Sequence, residues 1–420
     1  VVAATIGNVL EFYDFITYAY FSIQIGHAFF PTGNPYSSLM LSLATFGAGF
    51  ITRPIGGIVI GAYADRVGRR AAMMLSFGMM GGAIVALALI PSYASIGIAA
   101  PILAILARLV QGFSLGGEVG PNTAYLLEAA PPERRGYLVS WQAGSQNVSG
   151  LFAGIVGFAL ASTLAPAALD AYGWRIAFLI GAITLPFGLF LRRTMPETLH
   201  EPEPGAGPAA APDSGLAIIA EHWRIISLSV VMLAAGTVAT YCLMYMTTFA
   251  QNTLHMSPQI AFLVGVDNNA VAIVAPLVGG WLSDKVGRRP VMILPTLLTV
   301  LTVYPTFAWI VHSQSVAALL IGVAIITVTT NTGVGAFYAC LTETLPKRIR
   351  GRTVATVYAV SIATFGGTAQ PTIAWLLHVT GNPTAPAWYM LAFASAAAVA
   401  ALLMHESAPV RLPGEAALVH

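Results

Sequence analysis

Apolar runs separated by short clusters of Gly, Pro and charged residues fill the chain from end to end. A helix needs about 20 predominantly apolar residues to cross the hydrocarbon core of a bilayer. Runs of that length lie at roughly 2–27, 37–62, 71–90, 98–127, 137–163 and 174–193 in the first half. The second half has them at roughly 224–250, 259–282, 291–311, 316–343, 353–378 and 386–405. No ten-residue segments alternate apolar with polar positions, which argues against a barrel. The pattern predicts an all-α membrane protein with twelve transmembrane helices.

Composition agrees. Of 420 residues, 57% are hydrophobic and 9% charged, against about 25% charged in an ordinary soluble domain. The net charge of +2 says little, but its placement says more. With the N-terminus inside, all of the 19 Lys and Arg except Arg53, Arg108 and Arg175 fall in or beside cytoplasmic loops. That bias fixes orientation and puts both termini in the cytoplasm. A bacterial inner membrane is the expected location, the lipid bilayer the expected surroundings, and a monomer the expected state. Nothing points to nucleic acid. Cys242 and Cys340 lie inside spans, so no structural disulfide or metal site is expected. The chain begins at Val1 with no cleavable signal pattern, and the first span is expected to serve as the targeting signal.

One charged decapeptide occurs twice between apolar runs. Gly61-Ala-Tyr-Ala-Asp65-Arg66-Val-Gly68-Arg69-Arg70 returns half a chain later as Gly280-Trp-Leu-Ser-Asp284-Lys285-Val-Gly287-Arg288-Arg289. Glu128-Ala-Ala-Pro131 leading to Arg135-Gly136 likewise returns as Glu343-Thr-Leu-Pro346 leading to Arg350-Gly351. Two features repeated in the same order at similar spacing imply a duplicated half. The expected division is therefore a six-helix bundle over 1–195, a Pro-, Ala- and Gly-rich cytoplasmic linker over 196–222 and a second six-helix bundle over 223–420. Glycines in the decapeptide allow a tight reversal, and its aspartate and arginines can pair with one another and with helix ends. A purely topogenic basic cluster would need neither the glycines nor the aspartate.

Polar residues inside the spans are few, and each costs several kcal/mol unless it faces a cavity or a partner. They include Asn8, Glu11, Asp14, Tyr18, Arg53, Arg108, Gln111, Glu118, Asn122, Gln142, Gln146 and Asn147 in the first half. Tyr241, Tyr245, Asp267, Asn268, Asn269, Asn331 and Tyr338 follow in the second. At about 100° per residue, Arg108, Gln111, Glu118 and Asn122 share one stripe, as do Gln142 with Gln146 and Tyr241 with Tyr245. A rise of about 1.5 Å per residue places Arg108 level with Asp14 near mid-membrane, and Arg53 level with Glu118 nearer the cytoplasm. Two charge layers follow: Arg108 with Asp14, and Arg53 with Glu118, with Glu11 near the lower one. Arg53 also precedes Pro54 and Gly56, where a kink is expected.

Guanidinium groups in a cavity suit a substrate bearing carboxylates; alternatively they are neutralised by the acids and lock helices together. Asp14, Glu11 and Glu118 suit proton coupling, because burial and a neighbouring arginine pull a carboxyl's affinity for protons in opposite directions. They could equally be permanent ionic partners. Asp267 either lines the second half of a pathway or caps a broken helix. His27, His255 and His312 read as surface residues. No nucleophile elbow or HExxH pattern supports an intramembrane enzyme.

The decapeptides resemble the signature loops of the major facilitator superfamily. Gly7-Asn8-Val-Leu-Glu11-Phe-Tyr13-Asp14-Phe15, Phe50-Ile-Thr-Arg53-Pro54-Ile-Gly56-Gly57, Arg108-Leu-Val-Gln111-Gly112-Phe113-Ser114-Leu-Gly116-Gly117-Glu118 and Phe365-Gly366-Gly367 resemble hallmarks of its metabolite:proton symporter family. Ser140-Trp141-Gln142-Ala-Gly-Ser145-Gln146 and Trp388-Tyr389-Met390 are similar to the citrate-proton symporters within it. The resemblance implies alternating access with proton symport of citrate or a related tricarboxylate, or else of 2-oxoglutarate or another acid. A zwitterionic osmolyte such as proline or betaine fits two cavity arginines less well. It also implies carboxylate contacts for Arg53 and Arg108, and proton or gating roles for Glu11, Asp14 and Glu118. Position adds Gln111, Gln142, Gln146, Tyr18, Tyr241 and Asn331 to the substrate site. Gly61, Asp65, Arg66, Arg69 and Arg70 would gate from the first loop, and Gly280, Asp284, Arg288 and Arg289 from the second. No cofactor is expected beyond protons as the coupling ion.

Overall fold

Hydrocarbon offers no hydrogen bonds, so an apolar run without strand pairing must satisfy its backbone internally and coil into a helix. The computed structural model describes residues 12–116, 131–194, 215–345, 353–354 and 357–411. The first half contains α1 (residues 12–20), α2 (Ser22–Phe29), α3 (Pro35–Ile51), α4 (Arg53–Val67), α5 (Arg69–Leu89), α6 (Ala99–Leu115), α7 (Arg135–Thr163) and α8 (Trp174–Thr194). The second contains α9 (Gly215–Asn252), α10 (Pro258–Val286), α11 (Arg288–Ser313), α12 (Val316–Asn331), α13 (Val334–Thr344), α14 (Gly367–Thr380) and α15 (Ala385–Leu403). Among the described residues, seven helical stretches are long and apolar enough to cross a membrane. Of the expected linker 196–222, residues 196–214 lie outside the described residues and 215–222 form the start of α9, which kinks at His222.

Local chemistry sets several boundaries. Asn34 caps α3, its side chain accepting from the Tyr36 N–H, and Pro35 occupies the first turn, where its missing donor costs nothing. The expected kink in the second span is present: α3 ends at Ile51 and α4 restarts at Arg53 with Pro54 in its first turn. Both decapeptides turn on the same internal glycine. Gly68 has φ of 115° and Gly287 of 107°, values that side chains with a Cβ rarely adopt.

Two helix pairs approach closely enough to fix the rest. α3 and α6 cross where Gly112 lies against the Gly49 carbonyl and Thr52, leaving no space for a Cβ. Thr52 donates to the Leu109 carbonyl at 2.7 Å across the same seam. Between the halves, α7 runs along α10: Gly150 packs on Asn269, Gly157 on Phe262, and Gln259 donates to the Ala161 carbonyl at 2.7 Å. Small residues at such seams let helices gain dispersion contact where lipid supplies no hydrophobic drive.

Candidate functional site

The α3–α6 seam places two cations side by side. Arg53 stands at the restart of the second span and Arg108 lies half-way along α6 with 1% of its surface exposed. Both guanidinium groups lie over the ring of Phe15, at 4.7 Å and 5.2 Å from its centroid. Arg53 also lies 4.2 Å from the Phe50 centroid, and Arg108 lies 4.5 Å from that of Tyr18 and 5.1 Å from that of Phe46. Tyr241 closes the cage from the second half, 5.5 Å from Phe50 and 6.4 Å from Phe15. Aromatic faces attract cations but accept few hydrogen bonds, so the cage holds the arginines without satisfying them.

The hydrogen-bond inventory is one-sided. Arg108 Nη1 donates to Gln111 Oε1 at 2.6 Å, one helical turn on. Arg53 Nε and Nη2, Arg108 Nε and Gln111 Nε2 are buried and make no hydrogen bond among the described residues. Four donor nitrogens thus converge with no acceptor of their own. A carboxylate, with two oxygens and no proton to give, complements such a set.

The expected pairing of Arg108 with Asp14 is not formed. Asp14 is buried, but its Oδ1 lies against Gly181 of α8, which the Tyr13 ring also packs on, and makes no hydrogen bond among the described residues. Glycine at 181 leaves room for the carboxylate there, while Gln111, three residues along the same helix, supplies Arg108 with a nearer acceptor. The pairing of Arg53 with Glu118, and Glu11 beside it, lies outside the described residues.

Other positions separate. Tyr18 is fully buried and donates to the Ser42 carbonyl at 3.3 Å. Gln142 is buried in α7. Gln146 is half-buried in α7, one turn on from Gln142. Asn331 donates to the Thr327 carbonyl at 3.0 Å and to Thr330 Oγ1 at 3.2 Å, within its own helix. Asp267 lies in the middle of the continuous α10, so it caps no break; it is half-buried, and its Oδ2 is enclosed without a hydrogen bond among the described residues, while Asn268 and Asn269 beside it are buried. Asn269 donates to the Tyr20 hydroxyl and Thr327 to Asn268 Oδ1. His27 sits 3.5 Å from Asp170, so it has an acidic neighbour at the rim. Sequence reasoning passed over Phe15, Phe46 and Phe50. The legible signal was the spacing of Phe46, Phe50 and Arg53 by four and three residues, one helical face aimed at a cation.

The second decapeptide forms a clasp between the halves. Asp284 accepts from the backbone N–H groups of Gly136 and Tyr137, each at 2.9 Å, at the N-terminus of α7, where a negative charge is favoured. Arg288 bridges Asp284 and Glu343, reaching the latter at 2.9 Å, and donates to Ser283 at 2.8 Å. Glu406 accepts from the N–H groups of Arg288 and Arg289, whose side chain reaches the Leu402 carbonyl. Gly280 packs on the Gly136 carbonyl and Ser140. In the first decapeptide a Cβ at Gly61 would meet nothing within 4 Å among the described residues, and Arg66 is exposed. The side chains of Asp65 and Arg69 lie outside the described set, and Arg70 has contacts of its own.

Apolar helices of membrane length, in halves joined by small-residue seams around a buried basic cage, define a solute carrier rather than an enzyme. The sequence profile described as "Sugar (and other) transporter" matches residues 1–200, and that of the "Major Facilitator Superfamily" matches residues 268–417. A citrate-proton symporter of Salmonella typhi is 36% identical over 93% of this chain and 90% of its own. The alpha-ketoglutarate permease of Escherichia coli K12 is 34% identical over 96% of this chain and 93% of its own. The crystal structure of a D-xylose-proton symporter superposes with a TM-score of 0.77 at 20% identity, covering 97% of each chain. The chain belongs to the major facilitator superfamily.

Proposed function

We propose that this protein is a proton-coupled symporter that imports citrate or a related tricarboxylate by alternating access. The observation that carries the reading is the set of buried donor nitrogens on Arg53, Arg108 and Gln111 that lack acceptors. The similarity to citrate-proton symporters supports the substrate class, and that to the alpha-ketoglutarate permease supports 2-oxoglutarate as the second reading. In this reading Arg53, Arg108 and Gln111 grip carboxylate oxygens, with Tyr18 and Tyr241 packing the carbon skeleton and Gln142, Gln146 and Asn331 along the wall. Asp14, Glu11 and Glu118 exchange the proton. Asp14 is turned to α8 and unpaired at Oδ1, so it is placed to gain or lose a proton without breaking a salt bridge. The two decapeptide loops gate the cytoplasmic side.

The same reading takes the protein as a monomer in a bacterial inner membrane, with twelve spans divided at 195 and 223, both termini in the cytoplasm and no cofactor. Purified protein in proteoliposomes tests it. Labelled citrate should accumulate when the outside is made acidic, and unlabelled citrate should compete better than 2-oxoglutarate, proline or betaine. Accumulation that ignores the pH gradient, or competition led by a zwitterion, refutes the reading.

A further inference from the structure

A cavity of about 270 Å³ opens at the outer end of the molecule, bounded by Tyr36 and Leu39 of α3, Tyr245 and Asn252 of α9, and Ala374 and His378 of α14. Tyr36 and His378 stack across it with ring centroids 3.7 Å apart, joining the two halves. Two of these helices also build the arginine cage deeper in the membrane, and the segment leading into α14 packs against it. α3 supplies Phe46 and Phe50, α9 supplies Tyr241 one turn below Tyr245, and Gly366, at the end of a π-helical turn over Ile362–Gly366 leading into α14, packs on Phe50 and Tyr241. Three parallel stripes thus run from cavity to cage.

On the α14 stripe, between the two, stands Gln370. At about 100° per residue it falls within roughly 60° of Gly366, Gly367, Ala374 and Leu377, so it shares their face. It is 1% exposed, and neither its Oε1 nor its Nε2 makes a hydrogen bond. Buried apolar side chains on the neighbouring turns of α3 and α14 include Leu39, Leu43, Ile373 and Ala374, with the buried Ser42 hydroxyl on the same stretch of α3. A primary amide stripped of water and left unpaired is costly, and native interiors avoid it.

We propose that Gln370 is a substrate contact on the passage from the outer cavity to the arginine cage, and that it selects among the acids that pass. The inference rests on the reading of the protein as a carboxylate carrier. An amide offers two donors and one acceptor on one rigid plane, which suits a solute carrying both carboxylate oxygens and a hydroxyl. In the arginine cage Gln111 Oε1 is already engaged by Arg108, whereas Gln370 Oε1 is an acceptor left free to read that hydroxyl. With the outer ends of the helices together, the amide is dry and unpaired. When they part, it lines the passage, and a solute that pairs with it favours the parted state by the difference.

Uptake kinetics from the outside test this. Wild-type proteoliposomes come first: no uptake of any carboxylate would overturn the carrier reading and this inference together. Given uptake, Gln370→Leu should raise the KM for external citrate at least five-fold, with the melting temperature of the substrate-free protein unchanged or higher because an unpaired polar group is gone. A KM within two-fold of wild type overturns the inference alone. Should the leucine variant not fold, Gln370→Cys provides the second arm, since the native Cys242 and Cys340 are both buried. A membrane-impermeant methanethiosulfonate added outside should block uptake by that variant, and saturating citrate should protect it. No reaction, or reaction indifferent to citrate, overturns the assignment.

Discussion

Replacing Arg108 with lysine separates the chemistry of the guanidinium from its charge. The side chain is buried to 1% exposure, donates to Gln111 at 2.6 Å and lies 4.5 Å from the Tyr18 centroid, leaving Nε free of any hydrogen bond. A guanidinium meets a carboxylate through two parallel N–H groups, whereas an ammonium meets it as a point charge. Arg108→Lys therefore keeps the cation and loses one of two charge-assisted bonds. At about 2 kcal/mol for such a bond, citrate should bind roughly 30-fold more weakly. Arg108→Gln, which loses both bonds, should cost about 4 kcal/mol, or roughly 1000-fold. Scintillation-proximity binding of labelled citrate to purified protein measures both, and a melting curve on the same preparation checks that the fold survives. Equal affinities for wild type and Arg108→Lys would refute bidentate recognition. Equal affinities for the lysine and glutamine variants would remove the charge itself from the site.

Three further changes probe coupling, gating and packing. Asp14→Asn keeps the shape of the side chain beside Gly181 but cannot exchange a proton; gradient-driven uptake should fall at least ten-fold while exchange of internal for external citrate persists, and undiminished uptake would move the proton to another carboxyl. Asp284→Asn leaves Arg288 short of one of its two carboxylates and weakens the cap on α7. Breaking a buried pair costs about 3–5 kcal/mol, so the clasped ends of α7 and α10 should separate more often, measured as faster alkylation of a cysteine at Ser283; an unchanged rate would deny the clasp a gating role. Gly112→Leu forces a side chain against the Gly49 carbonyl and Thr52. It should lower the melting temperature by several degrees, in the range of overpacking costs of about 1–3 kcal/mol, and abolish citrate binding; a variant that melts and binds as wild type would show that the α3–α6 seam does not set the arginine spacing.

Much of the protein is written along the chain. Membrane helices follow from apolar length and the break before Arg53 from Pro54, because each depends on neighbours in sequence. The basic character of the site was legible for the same reason: an arginine inside an apolar run needs a purpose wherever the run ends up. Which partner each charge takes was not legible. Depth along a helix places Arg108 level with Asp14, but the direction of each side chain depends on which helices pack beside it. That packing turned Asp14 to the gap left by Gly181 and gave Arg108 to Gln111 and Tyr18. The aromatic cage arises likewise from three helices remote in sequence, Phe15 from α1, Phe46 and Phe50 from α3 and Tyr241 from α9. Sequence supplied the periodicity that makes each helix two-faced, and only the tertiary contacts decided which faces met.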